Sequence, residues 1–199
     1  MVVLPTGAGK TLVGLELLYV ALAKHPTRRT LFLAPTVALV EQQAAVFNVE
    51  ASDRGLALRA SVIAGGKRDD TSRVLFATPA AALIFFGRGS TCMKELSLLV
   101  FDEAHHGVGT NKGMCSQHPY AEIARLYASH EGAARPKLLG LTASPGQDRH
   151  QIKMLLDRFE FELLVIGRNS TSHDELRRTV PSPTLHTSEV SSSQVFRNS

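Results

Sequence analysis

Short apolar runs alternate with longer helical stretches along residues 1–168. Val2–Leu4 reads as the end of a strand and Pro5–Gly9 as a tight loop. Lys10–Lys24 reads as a helix whose apolar residues cover nearly every face, which predicts a helix buried all round. Thr30–Ala34 is a predicted strand, and Thr36–Val49 a helix opened by a threonine cap. Leu56–Ile63 is strand-like and ends at Gly65-Gly66. Arg73–Ala77 is another short strand, followed at once by Thr78-Pro79 and a small helix to Phe86. Ser97–Phe101 is an unbroken apolar strand that runs into Asp102-Glu103-Ala104-His105. Gln117–Tyr127 reads as helix, Lys137–Leu141 as a strand ending in Thr142-Ala143-Ser144-Pro145, Asp148–Phe159 as helix and Leu163–Ile166 as a last strand.

Strands of this length separated by helices predict an α/β domain with a mostly parallel sheet covered by helices on both faces. The polar motifs all follow the carboxyl ends of predicted strands, where open α/β sheets bind ligands. The domain is expected to span 1–168. Residues 169–199 are rich in Ser and Thr and contain Pro181 and Pro183, with one helical patch around Asp174–Arg178, and read as a partly disordered connector or tail.

Composition narrows the classes. With 44% hydrophobic and 20% charged residues the 199-residue chain is globular. The apolar stretch Leu12–Ala23 is interrupted by Glu16 and falls short of the ~18–20 residues a membrane span needs, so no membrane partner is expected. Cys92 and Cys115 cannot make a disulfide scaffold, which points to an intracellular, reducing setting, nucleus or cytoplasm. The net charge of +4 is compatible with a polyanionic partner without demanding one.

Pro5-Thr6-Gly7-Ala8-Gly9-Lys10-Thr11 joins a strand to a helix. Glycines in such a loop let successive N–H groups point at phosphate oxygens, and the helix N-terminus adds a favourable dipole. Thr6, Gly7, Ala8, Gly9, Lys10 and Thr11 are therefore candidates to cradle the phosphates of ATP. Lys10 would reach the β- and γ-phosphates and the Thr11 hydroxyl would ligate Mg²⁺. Leu4 stands where the general phosphate-loop pattern has its first glycine.

Asp102 and Glu103 are delivered together at the end of a buried strand. Neighbours on a strand point apart and can take different tasks. Asp102 suits a Mg²⁺ partner, and Glu103 suits the base that orients and deprotonates water. His105 is a candidate coupler to the next motif. His105, His106, Cys115 and His118 also lie close in sequence, and Cys115-x-x-His118 has ligand-like spacing, but no second paired set accompanies them, so zinc is the weaker reading.

Taken together, these pieces resemble the first RecA-like domain of superfamily 2 helicases, in which the phosphate loop takes the form P-T-G-x-G-K-T. Two further stretches are close to the Dicer wording of that family, Phe32–Gln43 and Phe101–His106 with the later His118-Pro119-Tyr120, and Leu139–Pro145 resembles the motif that couples ATP to nucleic acid. Asp174–Arg178 resembles the segment leaving the domain in Dicer-like proteins. The resemblance implies a RecA-like P-loop NTPase fold and an ATP- and Mg²⁺-dependent motor directed to double-stranded RNA. By position it implies that Thr142 and Ser144 relay between phosphate and RNA sites. It also implies that Pro35, Thr36, Gly65, Gly66, Thr78 and Pro79 face the nucleic-acid backbone.

Neutral hydroxyls, N–H groups and glycines do grip phosphates without reading bases. The same residues also suit plain structural roles. Gly65-Gly66 fits a turn, Thr36 and Thr78-Pro79 fit helix starts, and Thr142 and Ser144 fit a strand end and a cap. Helicases of this kind pair two RecA-like domains, the second of which supplies an arginine finger. The chain is expected to begin just ahead of the phosphate loop and to lack that partner, which makes it an incomplete motor with little hydrolysis alone. The motifs do not by themselves separate RNA from DNA. A DNA-directed translocase and a non-catalytic nucleotide- or nucleic-acid-binding module remain the alternatives.

Overall fold

The computed structural model describes residues 1–4, 7–68, 71–87, 93–107, 118–130, 135–143 and, further on, 153, 154, 156, 157, 159, 164 and 165. Within them, β1 (Val2–Val3) leads to α1 (Lys10–Lys24), β2 (Arg29–Leu33), α2 (Val37–Asp53), β3 (Ala60–Ala64) and β4 (Lys67–Arg68). Then come β5 (Val74–Ala77), α3 (Pro79–Gly87), β6 (Leu96–Asp102), α4 (Pro119–Ala128), β7 (Lys137–Thr142) and β8 (Leu164–Val165). One-turn 3-10 segments cover Met93–Glu95 and Ala104–Gly107. The strands form one sheet in the order β4-β3-β5-β2-β6-β7-β1-β8. Every pairing is parallel except β3 with β4. The α/β fold is as the alternating pattern predicts.

Side-chain alternation splits the core in two. Leu31, Leu33, Leu75, Ala77, Leu99 and Phe101 face one side and pack with α3, α4 and Phe159. Phe32, Ala34, Val74, Phe76, Leu98, Val100 and Leu141 face the other and pack with α1 and α2. All seven residues of β6 are buried, which is why its sequence shows no alternation.

Registry brings the strand ends into line. Leu33 pairs with Ala77 on one side and Phe101 on the other, Asp102 pairs with Leu141, and Val3 with Thr142. The residues after β1, β2, β5, β6 and β7 therefore emerge along one edge. A single ligand can be met there by parts of the chain far apart in sequence.

Two expectations change. The α1 helix is buried on one side only, through Gly14, Leu15, Leu18, Tyr19 and Leu22. Leu12 (52% exposed), Val20 (45%) and Leu17 (37%) face outward, because the helix lies on one face of a sheet and meets no second layer among the described residues. The strand expected over Leu56–Ile63 is β3, Ala60–Ala64. Leu56 N–H still bonds back to Ala51 O at 2.8 Å, so the chain is leaving a longer α2, and Asn48 Oδ1 receives Ala60 N–H where the strand begins. The hairpin to β4 was unforeseen. Gly65 and Gly66 both take positive φ (58° and 81°), the conformation a two-residue antiparallel turn demands. Thr6, Ser144, Cys92, Cys115, Asp174–Arg178 and the 169–199 tail lie outside the described residues. Among the described residues no helix is long and apolar enough to cross a membrane.

Candidate functional site

The phosphate-loop candidate follows β1. Gly7 and Gly9 both have φ near +80° (79° and 80°), and Gly9 is the N-cap of α1 with no side chain over the helix end. The N–H groups of the first turn thus lack a side-chain cap, which suits an anion. Ala8, Lys10 and Thr11 are half-buried around this turn. Lys10 Nζ rests 3.5 Å from Leu4 O.

Asp102 closes β6 and is 6% exposed. Its carboxylate is gripped at both oxygens. Glu103 N–H donates to Oδ1 at 3.1 Å, and Gln43 Nε2, from α2, donates to Oδ2 at 2.7 Å. The Tyr120 hydroxyl donates to the Asp102 backbone carbonyl at 2.7 Å and lies 3.3 Å from Leu33 O. Burial pushes the Asp102 carboxyl above the usual carboxylate range. The Gln43 hydrogen bond opposes that rise, the Glu103 charge adds to it, and the Lys10 ammonium opposes it. Lys10 opens the helix after β1 and Asp102 closes β6, and in the sheet only β7 lies between those two strands.

Glu103 has φ 50°, the left-handed region that a non-glycine residue rarely adopts. That turn sends the chain into the 3-10 segment, closed by His106 N–H to Glu103 O at 3.0 Å. His105 Nδ1 lies 3.0 Å from Thr142 Oγ1 and 3.3 Å from Glu103 Oε2. The ends of β6 and β7 are thereby joined through one imidazole. Burial and the neighbouring His106 lower the His105 pKa, which keeps the ring neutral and able to both donate and accept.

The residues expected to face nucleic acid are spread along the same edge. Thr36 is exposed, and its hydroxyl caps α2 by accepting Leu39 N–H at 3.3 Å. Pro35 and Thr78 are half-exposed, Gly65 and Gly66 are exposed, and Pro79 is buried at the start of α3. Pro79 therefore offers its rigid backbone turn to that surface and not its ring. Among the described residues no group of three or more His, Cys, Asp or Glu could hold a metal ion, and Cys115 of the zinc alternative lies outside them. His118 Nδ1 is spent accepting Tyr120 N–H at 3.2 Å as the cap of α4, and the His118 and His106 rings stack 5.6 Å apart. A magnesium site does not need such a cluster, since Mg²⁺ takes one or two protein oxygens and completes its shell with phosphates and water.

Two residues of this site carry no role in the sequence reading. Gln43 and Tyr120 lie inside matched motifs but hold Asp102 from below. The signal for Gln43 is legible in retrospect: it is the polar member of the buried stripe Val40, Gln43, Ala44, Phe47 and Ala51.

A family model described as the res subunit of type III restriction enzymes, ResIII, matches residues 1–147. The chain belongs to the ResIII family. This ResIII domain is a helicase-type ATP-binding domain of superfamily 2 with Dicer-like relatives. It is 35% identical over 94% of its length to Dicer-like protein 2 of Phaeosphaeria nodorum, covering 13% of that protein. It is 31% identical over 77% of its length to the Fanconi anemia group M protein of Gallus gallus, covering 7% of it. Among solved structures it is similar to the Hef helicase domain of Pyrococcus furiosus, with a TM-score of 0.71 and 31% identity over 87% of this chain and 36% of that one. The ResIII domain thus spans a small part of the curated relatives it matches.

Proposed function

We propose that this domain binds Mg·ATP along the sheet edge and forms the nucleotide-binding half of a motor acting on double-stranded RNA. The observation that carries the reading is the sheet order, which brings the glycine turn after β1 and the buried Asp102 at the end of β6 to one edge with only β7 between them. The residues fit the ligand. Gly7 to Thr11 offer N–H groups and one ammonium to phosphates, and Thr6 completes that loop in sequence. Thr11 and Asp102 would hold Mg²⁺, whose chemistry there is to neutralise charge on the triphosphate. A buried carboxylate held in place by two donors suits a cation. Glu103 serves as the base that takes a proton from water. The Glu103–His105–Thr142 chain, with Ser144 beyond it, passes the state of this site to the loops holding Pro35, Thr36, Gly65, Gly66, Thr78 and Pro79. A second RecA-like domain would supply the remaining cationic group, worth about 10³–10⁵ in rate.

Fluorescent mant-ATP binding tests the core of this. Lys10→Ala should weaken affinity about 10–100-fold, the scale of a lost charged hydrogen bond. Its urea midpoint should change little, because Lys10 makes one long contact to Leu4 O and its charge is the smallest of the influences on Asp102. Equal affinity in the two proteins would refute the assignment.

RNA is favoured by the match to Dicer-like protein 2 over 94% of the chain. A DNA-directed reading is supported by the similarity to the putative ATP-dependent DNA helicase fml2 of Schizosaccharomyces pombe, 29% identical over 87% of the chain. Competition between matched RNA and DNA duplexes separates the two, because the 2′-hydroxyl is the group that distinguishes them.

A further inference from the structure

Gln43 is 5% exposed and lies mid-way along α2 among apolar neighbours. Its Nε2 donates to Asp102, while its Oε1 meets no donor among the described residues. A buried amide oxygen without a partner costs folding free energy, and a methionine would fill the same space without that cost. Packing therefore does not explain a glutamine at this position. Its bond to Asp102 does.

The other grip on the Asp102 side chain comes from the N–H of the very next residue, so it moves with the loop it belongs to. Among the described residues, Gln43 is the group that fixes the carboxylate from a separate element. That element starts immediately after Thr36, roughly two helical turns from Gln43. The Thr36 cap and the Gln43 amide thus belong to one continuous helix.

We propose that Gln43 is a positioning residue: it locks the Asp102 carboxylate in one orientation and ties the metal end of the nucleotide site to the helix that opens at Thr36. The proposal rests on the Mg·ATP reading above. Carboxylates that ligate a metal depend on the partners that orient them, and removing such a partner weakens metal affinity about 10–100-fold.

The test uses the 199-residue chain, mant-ATP and Mn²⁺ as a paramagnetic stand-in for Mg²⁺. In Gln43→Met, mant-ATP affinity without metal should stay within about two-fold of wild type. Mn²⁺ affinity of the nucleotide complex should fall about ten-fold. An unchanged Mn²⁺ affinity overturns the proposal. Failure of wild type to bind mant-ATP, with or without metal, would instead overturn the nucleotide reading itself. Should Gln43→Met not fold, the wild-type chain decides. The side-chain amide NMR signals of Gln43 should shift when Mg²⁺ is added to the nucleotide complex, and signals that stay in place overturn the proposal.

Discussion

Asp102 carries the sharpest conflict between folding and function. It is buried, faces Glu103, and has Gln43 and Lys10 as partial compensation. A carboxyl whose folded pKa lies above its unfolded value binds more protons in the native state. It therefore subtracts stability at neutral pH, and that loss is relieved as pH falls through the raised native value. Replacing it by Asn should remove the burial penalty while leaving the shape intact. We expect Asp102→Asn to raise stability at pH 7.5 by on the order of 1 kcal/mol, or about 2–4 °C in Tm. The advantage should shrink in mildly acidic buffer, where wild-type Asp102 becomes neutral, and metal-dependent nucleotide binding should be lost. A lower Tm for the variant at pH 7.5 would show that the carboxylate is net stabilising. Glu103 adds a second local cost through its left-handed backbone. Its chain direction places His105 between Glu103 and Thr142.

The elements were legible in the sequence where their pattern had one physical cause. β2, β5, β6 and β7 are buried on both faces over Thr30–Leu33, Val74–Ala77, Leu96–Asp102 and Leu139–Thr142, and they show as predominantly apolar runs without alternation. The motif loops followed from them, because loops take their place from the strand ends. Leu56–Arg59 misled because Leu56 and Leu58 alternate with Ala57 and Arg59 much as a half-buried strand does, while hydrogen bonds to Ala51 and Asn48 decide the actual boundaries. The breadth of the apolar surface on α1 was read correctly, but no pattern says how many sides of a helix its neighbours will cover. Tyr120 was hidden for a different reason: its role is set by α4 packing beneath two strand ends, a tertiary fact. Its ring meets Phe101 edge-on at 5.3 Å and its hydroxyl ties β6 to β2. Tyr120→Phe keeps the ring and removes the tie. It should cost about 1–3 kcal/mol in urea unfolding, the penalty of leaving a buried carbonyl unbonded. A change under about 0.5 kcal/mol would mean the hydroxyl holds nothing.

Across the whole molecule, the sheet order sets which loops meet, and the surface so formed is chemically mild. The residues proposed for nucleic acid are glycines, prolines and threonines, and the charge of the chain is only +4. Neutral contacts release few counterions. Duplex binding should therefore weaken gently with salt, with a log–log slope of magnitude below about 3, in contrast to the steep dependence of proteins that neutralise many phosphates with Lys and Arg. A slope of magnitude above about 6 would place the main contact on a basic surface elsewhere. The antiparallel hairpin at Gly65-Gly66 bears on a different hazard. A parallel sheet that stopped at β3 would offer a row of open amides and carbonyls to any other chain in the cell. Two residues, Lys67 and Arg68, occupy that margin and run the opposite way. Their brevity and their charges make poor seeds for strand-by-strand growth, so this small fold-back acts as a guard against aggregation, and lengthening it with uncharged β-formers should promote fibril formation.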